Sequence, residues 1–175
     1  MKNKALFLDR DGVINIDKNY VYKICDIEFI DGIFNLIQCA NKLGYLVIVI
    51  TNQSGIGRGF FSEEDLEKTN NWIINECKKK EALINDIYFC PTHPIKGLGK
   101  YKKNDNRRKP NPGMFLEAAK DHNVDLSNSI VLGDKVTDMV AAYSSGIKHL
   151  FFLSNTKIYS GSKNVNSPKD VINFL

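Results

Sequence analysis

The chain has 175 residues, 43% hydrophobic and 25% charged, a balance that fits one globular domain able to bury a core without disulfide or metal staples. Its net charge of +4 suits an anionic substrate, and the scattered basic residues argue against a nucleic-acid-binding surface. No apolar run is long enough to span a bilayer, and Met1-Lys2-Asn3-Lys4 leads straight into a short strand without a signal region, so a cytoplasmic protein away from membranes is expected.

Lys4-Ala5-Leu6-Phe7-Leu8 is a short apolar run that stops at Asp9-Arg10-Asp11-Gly12, which predicts a buried strand and a turn. Asp31-Gly32 then precedes Ile33, Leu36, Ile37, Ala40 and Leu43, a helical spacing that ends at Gly44. Residues 45–50 form a second β-branched run, closed by Thr51-Asn52-Gln53-Ser54-Gly55. Ser62-Glu63-Glu64-Asp65 resembles a capping box and opens a helix to about Lys80, with Trp72 partly in the core. Ile87-Tyr88-Phe89-Cys90 reads as a third strand. Residues 91–112 are the longest loop-like stretch, and such loops inside compact domains usually carry function or are disordered. A helix over 114–122, a strand over 129–133, a helix over 136–145, a strand over 149–153 and a short terminal helix over 168–175 complete the chain. Cys25, Cys39, Cys77 and Cys90 form no CxxC pair, and Cys39 and Cys77 fall on apolar helix faces as small buried hydrophobes.

Strands apolar on both faces, alternating with helices, predict an α/β domain over 1–175 with a central parallel sheet. Ligands bind such sheets beyond the carboxyl ends of the strands. Three of those ends carry polar chemistry: Asp9-x-Asp11, Thr51-Asn52 and Asp134-x-x-x-Asp138. A carboxylate such as Asp9 can attack phosphorus and form a covalent intermediate, and an anionic substrate then requires cations. Magnesium bound by Asp9 and Asp134 would supply one, and Lys109 a second. Asp11, two residues along, is placed to protonate the leaving oxygen and later deprotonate water. Crowding by other carboxylates would help it hold that proton. The Thr51 hydroxyl and the Asn52 amide are candidate donors to phosphoryl oxygens, and Arg108 could grip a second oxyanion in a fork.

These residues fall in stretches similar to the four motifs of the haloacid-dehalogenase-like phosphatases: Phe7 to Gly12, Val49 to Gly55, Arg108-Lys109-Pro110 and Val131 to Lys135. Within that superfamily, Asp9 to Asp17, Tyr20-Val21, Phe29 to Gly32, Thr51 to Gly59 and Arg108 to Met114 resemble the D-glycero-D-manno-heptose-1,7-bisphosphate 7-phosphatase family, which shares many features with histidinol-phosphate phosphatases. The resemblance implies a Rossmann-like three-layer sandwich with a minimal cap. It implies Asp9 as nucleophile, Asp11 as acid/base, and Thr51 and Lys109 steadying the phosphoryl group. Magnesium would sit on Asp9, Asp134 and the backbone carbonyl of Asp11. A small-molecule sugar bisphosphate would contact Asp17, Lys18, Asn19, Tyr20, Asn52, Gln53, Ser54 and Lys135, with Arg108 on the distal phosphate. A monomer is expected. The family commonly carries a loop with four zinc ligands before the Arg-Lys-Pro. Here Cys90-Pro91-Thr92-His93 keeps part of the first pair and Asp105-Asn106-Arg107 replaces the second, so no structural zinc is expected and the loop must be held by packing or be mobile. Rival readings are a histidinol-phosphate or nucleotide phosphatase, a nucleic-acid 3′-phosphatase module and a non-catalytic sugar-phosphate binder.

Overall fold

The computed structural model describes residues 2–154 and 159–175. A six-stranded parallel sheet runs in the order β3-β2-β1-β4-β5-β6. The strands are β1 Ala5–Leu8, β2 Leu46–Asn52, β3 Asp86–Cys90, β4 Ile130–Gly133, β5 His149–Leu153 and β6 Lys163–Val165. Five match the apolar runs of the sequence. The sixth, Lys-Asn-Val, is a short edge strand with one buried residue, too brief and polar to show an apolar run. The helices are α1 Ile33–Lys42, α2 Ser54–Gly57, α3 Glu63–Lys79, α4 Gly113–Asp121 and α5 Val136–Ser145. The expected terminal helix is a 3-10 segment, Pro168–Phe174, which Ser167 caps by accepting from the Lys169 amide.

The period of two along each strand builds a core on both faces of the sheet. Leu6, Leu8, Val47, Val49, Ile130 and Leu132 face one way, against Ile33, Leu36, Ile37 and Ala40 of α1 and Ile73 and Cys77 of α3. Ala5, Phe7, Ile48, Ile50 and Val131 face the other, against Met114, Phe115 and Ala118 of α4 and Met139, Ala141 and Ala142 of α5. Phe7 and Phe115 meet edge to face at 5.2 Å. Trp72 packs against the first of these clusters, and Cys77 is buried while Cys39 is only partly so. The capping box at α3 is present, with the Asp65 amide donating to Ser62 Oγ at 3.1 Å and the Ser62 amide to Asp65 Oδ2 at 2.9 Å.

Both faces of the sheet are covered, as parallel sheets require. β1 lies between β2 and β4, so the strand order reverses there and a crevice opens beyond its carboxyl end. No helix among the described residues is long and apolar enough to cross a membrane.

Candidate active site

Asp9 stands at the end of β1, where its amide donates to Leu132 O at 3.1 Å and ties it to β4. Its carboxylate is fixed at Oδ1 by the Arg10 amide at 2.8 Å and the Lys109 ammonium at 3.0 Å. Burial raises its pKa, opposed by the charge of Lys109 and reinforced by that of Asp138. Lys109 is also buried and sits 2.7 Å from Asp138 Oδ1, while its Nζ donates to Ile50 O at 2.6 Å. Burial favours loss of its proton, but Asp138 and Asp9 outweigh it and hold the ammonium charged.

Lys109 reaches the crevice from the loop before α4, and Asn52 secures it there. The Asn52 amide donates to Lys109 O at 2.9 Å, and the Lys109 amide returns a bond to Asn52 Oδ1 at 3.1 Å. The side chain expected to donate to a phosphoryl group thus also holds the lysine backbone. Gln53 links two further groups, donating from Nε2 to Asp11 Oδ2 at 2.8 Å and to Thr51 Oγ1 at 2.9 Å.

Asp11 is surrounded by donors. Arg10 contributes Nε at 3.2 Å and Nη2 at 3.0 Å, and Asn15 contributes Nδ2 at 3.0 Å, all to Oδ1. The carboxylate crowding expected at Asp11 falls instead on Asp9, Asp134 and Asp138, whose oxygens lie within 4.8 Å of one another. Burial, then the charge of Asp9, pushes Asp134 up to about 7. Its Oδ1 is buried with no hydrogen-bond partner. A Cβ on Gly12 would stand 2.2 Å from Asp134 Oδ2, so only glycine lets the Asp11 turn pass this carboxylate. Mutually repelling carboxylates with an orphaned buried oxygen fit a hard divalent cation such as magnesium. Asp9 and Asp134 could hold it through their side-chain oxygens. Asp138 is engaged elsewhere, paired with Lys109 and accepting from the Lys135 amide at 2.9 Å.

These side chains border a cavity of about 280 Å³. Asp9, Asp11, Thr51, Lys109 and Asp138 line one part of it. Asp17, Asn19, Tyr20, Asn52, Gln53, Ser54 and Lys135 also line it, with Gly55 and Thr137. Lys135 pairs with Asp17 at 2.9 Å across the mouth, and burial of Asp17 is outweighed by that bond, so its pKa is lowered. Two expected substrate contacts fall outside this ring. Lys18 turns to Glu28 at 3.1 Å, and Arg108 donates from Nη1 to Thr92 O at 2.9 Å. The sequence reading gave no role to Arg10, which is fully buried and clamps Asp11, nor to Asp138, the second partner of Lys109. Adjacency to Asp11 and the spacing of four from Asp134 were the available signals.

The loop from 91 to 112 is held by its own side chains. Thr92 Oγ1 lies 3.1 Å from Cys90 Sγ and donates to Asp105 Oδ2 at 3.3 Å. Asp105 Oδ1 accepts from the Arg107 amide at 2.9 Å, and Asn111 donates to Asp105 O at 3.0 Å. His93 Nδ1 accepts from the amides of Ile95 and Lys96, at 3.2 and 3.0 Å.

A parallel sheet with this motif-bearing edge is the architecture of HAD-like hydrolases, and the model of that family, described as HAD-hydrolase-like, matches residues 106–173. The chain is 46% identical to D-glycero-alpha-D-manno-heptose-1,7-bisphosphate 7-phosphatase of Burkholderia mallei, over all of this chain and 95% of that protein. It is 42% identical to the protein of the same name from Campylobacter jejuni, over 100% of this chain and 97% of that one. The Vibrio cholerae beta counterpart is 44% identical over 84% of this chain and 79% of its own length. Among solved structures, D,D-heptose 1,7-bisphosphate phosphatase from B. bronchiseptica, complexed with magnesium and phosphate, superposes with a TM-score of 0.84 at 25% identity, covering 98% of this chain and 97% of that one. This chain belongs to the D-glycero-D-manno-heptose-1,7-bisphosphate 7-phosphatase family.

Proposed function

We propose that this protein hydrolyses the 7-phosphate of D-glycero-D-manno-heptose 1,7-bisphosphate in the biosynthesis of nucleotide-activated heptose, acting as a cytoplasmic monomer. The observation that carries this reading is the convergence of Asp9, Asp11, Thr51 and Lys109 on one cavity, with Asp134 behind it. In the first step an Asp9 carboxylate oxygen bonds to the 7-phosphorus as the phosphorus–oxygen bond to C7 breaks. Asp11 gives the departing sugar oxygen its proton. In the second step Asp11, now a carboxylate, takes a proton from water as that water bonds to the phosphorus. The bond to Asp9 breaks and inorganic phosphate leaves. Lys109, held charged by Asp9 and Asp138, faces the negative charge that develops on the phosphoryl oxygens. Magnesium, bound by Asp9, Asp134 and the Asp11 carbonyl, would supply the positive charge that lets one anion approach another.

The alpha anomer is the favoured substrate in this reading, since the alpha-named relatives from B. mallei and C. jejuni align over the whole chain while the beta-named V. cholerae protein aligns over 84%. The test is phosphate release from the alpha and beta bisphosphates, with fructose 1,6-bisphosphate and histidinol phosphate for comparison. Turnover of the alpha heptose at the highest kcat/KM is expected. A preference for histidinol phosphate would overturn the reading.

A further inference from the structure

Arg10 carries a full charge and is completely buried. Its one carboxylate partner among the described residues is Asp11. A guanidinium withdrawn from water is tolerated only where its donors are met. Here every nitrogen has a partner. Nε donates to Asp11 Oδ1 at 3.2 Å, and Nη2 donates to Asp11 Oδ1 and Oδ2, each at 3.0 Å. Nη1 donates to Asn70 Oδ1 of α3 at 3.2 Å. Nη2 also donates to the Val21 carbonyl. One planar fork thus joins the turn after β1, helix α3 and the backbone at residue 21.

The two Asp11 oxygens meet different surroundings. Oδ1 is held by Arg10 and by Asn15 Nδ2 at 3.0 Å, and both of those side chains are fully buried. Oδ2 accepts, besides Nη2, the Gln53 amide at 2.8 Å, and Gln53 lines the cavity. The fork therefore turns Oδ1 inward and leaves Oδ2 on the cavity side. The Val21 contact extends this hold to the mouth. Asp17, Asn19 and Tyr20 line the cavity just before Val21. Asn19 and Tyr20 are both left-handed, at φ 62° and 56°, a conformation that non-glycine residues keep only where their surroundings impose it. The two carbonyls that follow are both anchored: Val21 O accepts from Arg10, and Tyr22 O accepts from Thr69 Oγ1. Thr69 and Asn70 are neighbours on α3, so one helix supports the mouth segment directly and the fork through Asn70.

We propose that Arg10 is a positioning residue of the first chemical step: it sets the Asp11 carboxylate and the cavity segment 17–20 as one unit, so that Oδ2 meets the departing oxygen of a leaving group seated on that segment. As the phosphorus–oxygen bond to the leaving group breaks, the proton passes from Asp11 to that oxygen, and Arg10 touches neither substrate nor the reacting atoms. The assignment rests on the phosphatase reading above and adds to it the residue that aims its acid.

The experiment measures kcat/KM, which reports phosphoryl transfer to Asp9, on esters that differ in their need for a proton. Heptose 1,7-bisphosphate and glycerol phosphate have alkyl leaving groups, and dinitrophenyl phosphate has a leaving oxygen that departs without protonation. Lysine at position 10 keeps the charge but cannot reach Asp11, Asn70 and Val21 together. R10K should lose about 10²-fold on the alkyl esters and only about threefold on the aryl ester, the pattern of misdirected general acid catalysis. Turnover of the aryl ester also shows that the variant folds. Equal losses on both kinds of ester, or none on the alkyl esters, overturn the proposal, because a merely structural role does not distinguish leaving groups. Should R10K fail to fold, N70A removes the Nη1 acceptor from outside the site. A loss falling mainly on the alkyl esters then upholds the proposal, and equal losses or none overturn it. Should wild type hydrolyse glycerol phosphate but not the heptose bisphosphate, the substrate reading fails on its own and the comparison of alkyl with aryl esters still decides Arg10. A wild type that turns over no alkyl ester overturns both.

Discussion

One ammonium group balances the charge of this site. Lys109 Nζ lies 3.0 Å from Asp9 and 2.7 Å from Asp138, with all three side chains buried. At such separations in a protein interior, removing one partner strands a charge and costs about 3–5 kcal/mol. D138N should keep a side-chain oxygen for the Lys135 amide but remove the charge that helps hold Lys109. A lower melting temperature and a roughly 10- to 100-fold loss of kcat are expected, as for other groups that orient a reacting residue. A variant with unchanged kcat would show that Lys109 needs only Asp9. D9N removes the nucleophile itself, so phosphate release should fall by at least about 10³-fold. Trapping of phosphate on wild type but not on D9N, read by mass spectrometry after an acid quench, would locate the covalent bond, and turnover by D9N near the wild-type rate would sink the mechanism. Asp9 was legible in the sequence because it follows an apolar strand, whereas the task of Asp138 depends on a lysine delivered from a distant loop.

At the scale of elements, that loop is the least conventional part of the molecule. It joins β3 to α4 and delivers Arg108 and Lys109, yet contains no regular structure beyond a 3-10 turn at Gly99–Tyr101. The sequence left two options for it, a loop held by packing or a mobile one, and named no residue that would hold it. Asp105 serves as the hub: Thr92 and the Arg107 amide bond its side chain, Asn111 bonds its carbonyl, and Lys103 approaches at 3.6 Å. Bonds between residues 13 apart leave no periodic signal in the chain, which is why they were invisible there. Elemental analysis of the purified protein is expected to find no stoichiometric zinc, and one zinc per chain would overturn that expectation. D105A should cost about 1–3 kcal/mol through its unsatisfied partners. It should also open the loop to limited proteolysis between residues 91 and 112, while adding zinc to the variant restores nothing.

At the scale of the whole molecule, the strand pattern carried most of the fold, because β1, β2, β4 and β5 bury apolar residues on both faces and β3 buries Tyr88 and Cys90 on one. Closing the sheet at the β1 reversal then gathers Asp9, Asp134 and Asp138 within 4.8 Å, an arrangement that only the folded chain has. Their mutual repulsion opposes folding, and a divalent cation bound between them relieves it. Magnesium should therefore bind the native state and stabilise it, by about 2.7 kcal/mol at a concentration 100 times its Kd. Melting temperature measured against magnesium concentration should rise and then follow the logarithm of the concentration. D134N removes one ligand and one of the repelling charges together. It is expected to melt higher than the metal-free wild type, because an isolated buried amide is less costly than a third carboxylate, and to respond weakly to magnesium. A variant that melts lower without metal but keeps the full magnesium shift would show that Asp134 supports the strand end rather than the cation.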